Sequence, residues 1–140
     1  MRSQMEPQQV PGAATQHATL PIRILLVDDS PGFLKSAARF LSAEPRIEVA
    51  GQALSSRDAL EQVISLRPDL VLIDVAMPGM NGLEATRRIK AQSDAPQVII
   101  LTMHDNPEYR AEARIAGADG FVSKSEFGSQ LLPLIYELLG

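Results

Sequence analysis

The chain has no cysteine and no tryptophan, and only 4% of its residues are aromatic. Without thiols, disulfide scaffolds, thiol catalysis and zinc-thiolate sites are excluded together, and any metal chemistry must run through oxygen ligands. Basic charge is also short. Thirteen lysines and arginines stand against 17 aspartates and glutamates, a formal charge of 13 − 17 = −4 with a pI near 5.1. Direct grip on a nucleic-acid backbone needs clustered positive charge to release counterions, so nucleic acid is not an expected direct ligand. No apolar run approaches the roughly 18 residues of a membrane span. Met1 to Leu20 lacks the apolar core of a signal peptide, and a cytoplasmic protein is expected.

What is present is enough for one folded domain: 140 residues, 45% hydrophobic and 21% charged. Residues 1–20, with Gln4, Gln8, Gln9, Gln16, Pro7, Pro11 and Gly12, carry neither helical nor strand periodicity. They read as a disordered tail, either an unstructured leader or a partner-binding segment. From Pro21 onward short apolar runs alternate with longer amphipathic ones. Strands are expected at Ile22–Val27, Ile47–Ala50, Leu70–Ile73, Val98–Thr102 and Phe121–Ser123. Helices are expected over about Pro31–Ala43, Arg57–Leu66, Leu83–Ala91, Glu108–Ala116 and Gln130–Leu139.

Local punctuation supports that count. Ser30-Pro31 reads as a helix cap with proline at the first helical position, Pro45 and Pro68 close the first two helices, and Gly117 suits a left-handed cap after the fourth. Ile24-Leu25-Leu26-Val27 and Leu70-Val71-Leu72-Ile73 are apolar without alternation, as strands buried on both faces are. A parallel sheet covered by helices on both sides follows. In the last helix, Leu131, Leu132, Leu134, Ile135, Leu138 and Leu139 share a wide apolar stripe, with Pro133 expected in or near the first turn. The stripe is either wholly core or partly a dimer or partner surface.

In a parallel sheet the residues just past each strand converge on one edge, where open α/β folds bind ligands. Here those positions hold Asp28-Asp29 after the first strand, Asp74 after the third, Thr102 after the fourth and Ser123-Lys124 after the fifth, while the second leads only into Gly51 and Gln52. A single aspartate after a strand is commonly a cap or turn residue, and a lone lysine is usually solvated. The co-occurrence is what carries weight. Three crowded carboxylates repel unless a cation sits among them, and a hard divalent ion such as Mg2+ suits an oxygen-only set completed by water and phosphate. Lysine can then contact a phosphoryl oxygen as a point charge, and a threonine hydroxyl can donate to another. A carboxylate is itself a nucleophile toward phosphoryl groups. The bend Asp74-Val75-Ala76-Met77-Pro78-Gly79-Met80-Asn81-Gly82 would expose Asp74 at the rim and offer the Ala76 backbone carbonyl as a further metal ligand.

These residues together resemble the receiver domain of bacterial two-component response regulators. The resemblance rests on Leu25-Leu26-Val27-Asp28-Asp29, Asp74 with Met77-Pro78-Gly79-Met80-Asn81-Gly82, Leu101-Thr102, and Gly117-Ala118-Asp119-Gly120-Phe121 leading to Lys124. It covers residues 21–140. Arg67-Pro68-Asp69 and the run Gly82-Leu83-Glu84-Ala85-Thr86-Arg87-Arg88 look most like the branch whose receivers precede a LuxR-type DNA-binding domain. The resemblance implies a flavodoxin-like (βα)5 fold, a doubly wound five-stranded parallel sheet of order 2-1-3-4-5. It implies that Asp74 is the phosphoacceptor, Asp28 and Asp29 the acidic Mg2+ pair, Thr102 the switch hydroxyl and Lys124 the phosphate-contacting lysine. Phe121 falls where the family has its rotating aromatic, the alternative being a plain core phenylalanine.

On that basis a sensor histidine kinase or histidine phosphotransfer protein is the expected phosphodonor. Phosphorylation would reshape the surface of the fourth helix, fifth strand and fifth helix, homodimer formation being one use of it. The protein is expected to be a switch and not a turnover enzyme. The alternatives are a phosphorylation-independent binding module or, with no cap for a substrate in view, an Mg2+-dependent phosphatase. His104 reads as a loop side chain, and the bulk of Met103 as a narrowing of the pocket entrance. DNA would be reached only through an output domain absent from this chain, which is either a stand-alone receiver or a fragment of a longer regulator.

Overall fold

The computed structural model describes residues 20–140. The expected tail lies outside the described residues apart from Leu20. Strand β1 (Ile22–Val27) is followed by α1 (Pro31–Ser42), β2 (Ile47–Ala53), α2 (Ser56–Leu66), β3 (Leu70–Asp74), α3 (Gly82–Lys90), β4 (Gln97–Thr102), α4 (Pro107–Ala116) and β5 (Gly120–Ser123). A short 3-10 turn (Lys124–Glu126) then leads into α5 (Phe127–Leu139). All pairings are parallel, in the order β2-β1-β3-β4-β5.

Because side chains alternate across a strand, each inner strand feeds two cores. Leu25, Val27, Val71, Ile73, Val98 and Ile100 face α2, α3 and α4, where Ala59, Val63, Leu83, Ala85, Ile89 and Ala113 meet them. Ile24, Leu26, Leu70, Leu72, Ile99 and Leu101 face the opposite way, onto Leu34, Ala37 and Leu41 of α1 and Leu131 and Ile135 of α5. Burial on both faces is the reason these strands lack alternation. Side-chain caps start four of the helices: Ser30, Ser55, Asn81 and Asn106 accept from the backbone N–H of Phe33, Asp58, Glu84 and Tyr109.

Two boundaries move by more than one residue from the sequence expectation, and one helix is closed differently. Strand β2 continues through Gly51 and Gln52 to Ala53, because the register shifts from Ile24↔Val49 to Leu25↔Gly51 and a bulge absorbs Ala50. Helix α2 is closed by Arg67 itself, left-handed at φ 50°, ahead of Pro68. Helix α5 begins at Phe127, which makes Pro133 its seventh residue and an interior one. Pro133 is exposed, so the Ser129 carbonyl that loses its helical donor is not sealed in the core. In the α5 stripe only Leu131 and Ile135 are fully buried; Leu132, Leu134, Leu138 and Leu139 are half-buried along its flanks.

Candidate functional site

Asp28 follows β1 immediately, Asp74 is the last residue of β3, Thr102 the last of β4, and Lys124 the first after β5. Parallel pairing brings these four strand ends to one edge. Oxygens of Asp28, Asp29 and Asp74 lie within 4.8 Å of one another, with Asp28 and Asp74 buried and Asp29 exposed. The Lys124 ammonium stands 2.6 Å from Asp28 Oδ2 and 3.6 Å from Asp74 Oδ1. The other Asp28 oxygen accepts the Ser30 backbone N–H at 2.9 Å, so the residue that caps α1 also orients the first acid.

Burial pushes the Asp74 carboxyl above its ordinary value, and the charges of Asp28 and Asp29 push the same way. Lys124, second in strength, and a hydrogen bond from the Ala76 backbone pull it back down. Three carboxylates against one ammonium leave a formal surplus of two negative charges, with Asp28, Asp74 and Lys124 largely buried and Asp29 open to solvent. An oxygen-only donor set with that surplus fits a hard divalent cation such as Mg2+.

Of the residues expected at the site, Asp28, Asp29, Asp74 and Lys124 come together. The Thr102 hydroxyl, 1% exposed, instead bonds within its own loop, donating to the His104 carbonyl at 3.1 Å and accepting the His104 N–H at 3.0 Å. His104 thus matters through its backbone, and Met103 projects outward at 69% exposure. Phe121 is half-buried, with the Arg110 guanidinium 4.8 Å above its ring. Asp105 in turn holds that guanidinium with bonds of 2.7 and 2.9 Å. Ala76 is exposed at the rim beside Asp74.

Two neighbours are not evident from the sequence. Ser30 is legible there only as a helix cap, and Phe33 only as a core position of α1; yet the Lys124 ammonium lies 4.2 Å over the Phe33 ring. Nothing in residue spacing signals a contact between the first helix and the end of the fifth strand.

The family model described as the response regulator receiver domain matches residues 24–136. The nitrate/nitrite response regulator protein NarL of Escherichia coli (strain K12) is 33% identical over 117 residues, covering 84% of this chain and 54% of that protein. A protein-glutamate methylesterase/protein-glutamine glutaminase of Geobacillus kaustophilus is 44% identical over 104 residues, which are 74% of this chain and 30% of that protein. The chain therefore spans about half or less of the length of these relatives. Among solved structures, a LuxR-family two-component response regulator from Aurantimonas sp. superposes with a TM-score of 0.81 at 34% identity, covering 85% of each chain. The signal receiver domain of NarL from Mycobacterium tuberculosis gives 0.80 at 28% identity, covering 85% of this chain and 96% of that one.

Proposed function

The chain belongs to the response regulator receiver domain family, and on that premise we propose that it is a signalling switch phosphorylated on Asp74. The observation that carries this reading is the meeting of Asp28, Asp29 and Asp74 within 4.8 Å, with Lys124 bonded to the first and close to the last.

The donor is a sensor histidine kinase or a histidine phosphotransfer protein. An Asp74 carboxylate oxygen forms the new P–O bond while the P–N bond to the donor histidine breaks, its electron pair staying with the imidazole. Nucleophile and phosphoryl group are both anionic, so the step needs positive charge already in place. Lys124 supplies part of it from within 3.6 Å of Asp74 Oδ1. Asp28, Asp29, Asp74 and the Ala76 backbone carbonyl would hold Mg2+, which when bound offsets further phosphoryl charge.

Thr102 then exchanges its His104 partners for a phosphoryl oxygen, and Phe121 turns toward the space left behind. The surface of α4, β5 and α5 changes with it, biasing a two-state element. That surface regulates a partner, a second copy of the chain, or a DNA-binding output domain like those of the LuxR-type relatives. The work is done in the cytoplasm, with no turnover chemistry beyond the gain and loss of this phosphoryl group. Among the described residues no helix is long and apolar enough to cross a membrane.

The test is incubation with a small acyl phosphate and Mg2+, followed by intact-mass measurement of the protein and of Asp74→Ala. Gain of one phosphoryl group by the parent alone, abolished by chelator, is the expected result. No gain by folded parent protein would favour a phosphorylation-independent binding module. Release of phosphate from many esters with multiple turnovers would favour a phosphatase.

A further inference from the structure

Lys124 has a third partner besides its two carboxylates. Its Nζ lies 4.2 Å from the centroid of the Phe33 ring, and its side chain is only 12% exposed. That ring is held in place. Phe127, the first residue of α5, packs edge-on against it at 5.6 Å and 77°, and Phe40 backs Phe127 at 5.3 Å. The Phe33 backbone N–H is bonded to Ser30 Oγ at 3.2 Å, and Ser30 donates its own N–H to Asp28. Acid, cap and ring thus belong to one short segment, Asp28 to Phe33, which meets the ammonium through Asp28 and Phe33.

A lysine stem is long and flexible, and its ammonium is strongly hydrated. Carboxylates alone would hold it by bonds that a newly arrived phosphoryl group must break. An aromatic face attracts the same cation through its quadrupole, keeps water off that side and leaves the N–H donors free for oxygens. We propose that Phe33 is a positioning residue for phosphoryl transfer, its ring fixing the Lys124 ammonium over the Asp28 and Asp74 carboxylates where the oxygens of the phosphodonor arrive. The inference rests on the function proposed above and adds to it a residue that touches neither metal nor phosphoryl group.

The test compares the parent with Phe33→Leu and Phe33→Met, which keep apolar bulk without a π face, and with Phe33→Tyr, which keeps the face. The first readout needs no phosphodonor. In NMR spectra the Lys124 ε-methylene protons should be shifted upfield by the ring current in the parent and in Phe33→Tyr, and not in the Leu and Met variants. The second is the rate of phosphorylation by a small acyl phosphate at saturating Mg2+. It should fall about three- to tenfold in whichever of the Leu and Met variants folds and be kept in Phe33→Tyr, the range expected of a partly desolvated cation–π contact. In a Lys124→Met background Phe33→Leu should have no further effect, since the interacting partner is gone.

A missing ring-current shift in the parent overturns the contact. A Phe33→Leu rate equal to the parent's, or an equal loss with and without Lys124, overturns the positioning role while leaving Asp74 phosphorylation intact. No phosphoryl uptake by the parent at all overturns the proposed function, and Phe33's role in it, even if the shift is seen.

Discussion

Lys124 and Asp28, 96 residues apart in the chain, are joined at 2.6 Å by an ion pair that spans the ends of two strands separated by β3 and β4. Asp28 is 1% exposed, and among the described residues its carboxylate accepts, besides Lys124, only the Ser30 N–H. Lys124→Met would leave that carboxylate buried beside Asp74 with no cation. Removing one partner of a buried charged pair exposes the full desolvation penalty of the other. Urea unfolding in chelator at neutral pH should show a loss of about 1–3 kcal/mol. Adding Asp28→Asn to Lys124→Met should recover most of it, whereas an additive double variant would mean that the pair stabilises the fold very little.

Asp74 gives the site a pH dependence of definite sign. Burial first, then the charges of Asp28 and Asp29, raise its carboxyl above the unfolded value near 3.8, against the pull of Lys124 and the Ala76 N–H. The folded state therefore binds this proton more tightly than the unfolded chain. Its stabilising effect is complete below the unfolded value and is lost as pH rises through the folded one. An ionised Asp74 carboxylate opposes folding, so at pH 7 Asp74→Asn should melt higher, by about 4 °C for each kcal/mol relieved. The gap should close as the pH is lowered toward 3.8. Equal melting at pH 7 without metal would mean that Lys124 already offsets the burial.

The fold was legible because its inner strands are apolar on both faces, and its acids because they stand where those strands stop. Asp28, Asp29, Asp74 and Lys124 needed only the parallel topology to be brought together. What was not legible depends on contacts between distant segments. Phe33 sits at a core spacing of α1, and only the docking of α5 through Phe127 turns its ring toward Lys124. The Thr102 hydroxyl is turned to His104 by a local loop conformation that competes with the site. The length of β2 escaped because a bulge carries an edge strand with glycine and glutamine past the point where its apolar run ends. The start of α5 escaped because a 3-10 turn passes directly into it and no side-chain cap marks the boundary.

Metal binding should separate the two adjacent aspartates. Asp28 is buried and bonded to Lys124 and Ser30, while Asp29 is exposed. Asp29→Asn should therefore leave metal-free stability within about 0.5 kcal/mol of the parent, as exposed substitutions do. It should still weaken Mg2+ binding through the loss of a charged ligand. For the parent, Mg2+ at a hundredfold excess over its dissociation constant should add about 2.7 kcal/mol by mass action. Thermal melts over a Mg2+ titration check both statements, with chelator restoring the starting point. A parent protein indifferent to Mg2+ would count against the acidic edge as a metal site.

Gly82 closes the loop that follows Asp74, and the reason is steric. Its N–H donates to the Val75 carbonyl at 3.0 Å, drawing the start of α3 back against the end of β3. A Cβ at this position would collide with the Asp74 carbonyl oxygen and come within 2.9 Å of Val75 Cα, both backbone atoms that cannot swing aside. The φ of Gly82 is not in the left-handed region, so close approach alone demands glycine. Gly82→Ala must push α3 away from β3 and carry the 75–81 loop with it, at a cost of about 1–3 kcal/mol. Because the backbone that the added Cβ meets is that of Asp74 itself, phosphorylation should slow by more than the loss of folded protein explains. Gly128, on the first turn of α5, has open space where a Cβ would stand, with nothing within 4 Å of it. It is the matching control and should accept alanine with both properties unchanged. The pair of variants, compared by denaturant midpoint and by rate of phosphoryl uptake per folded molecule, tests whether Gly82 acts on the geometry of Asp74 or only on the stability of the domain.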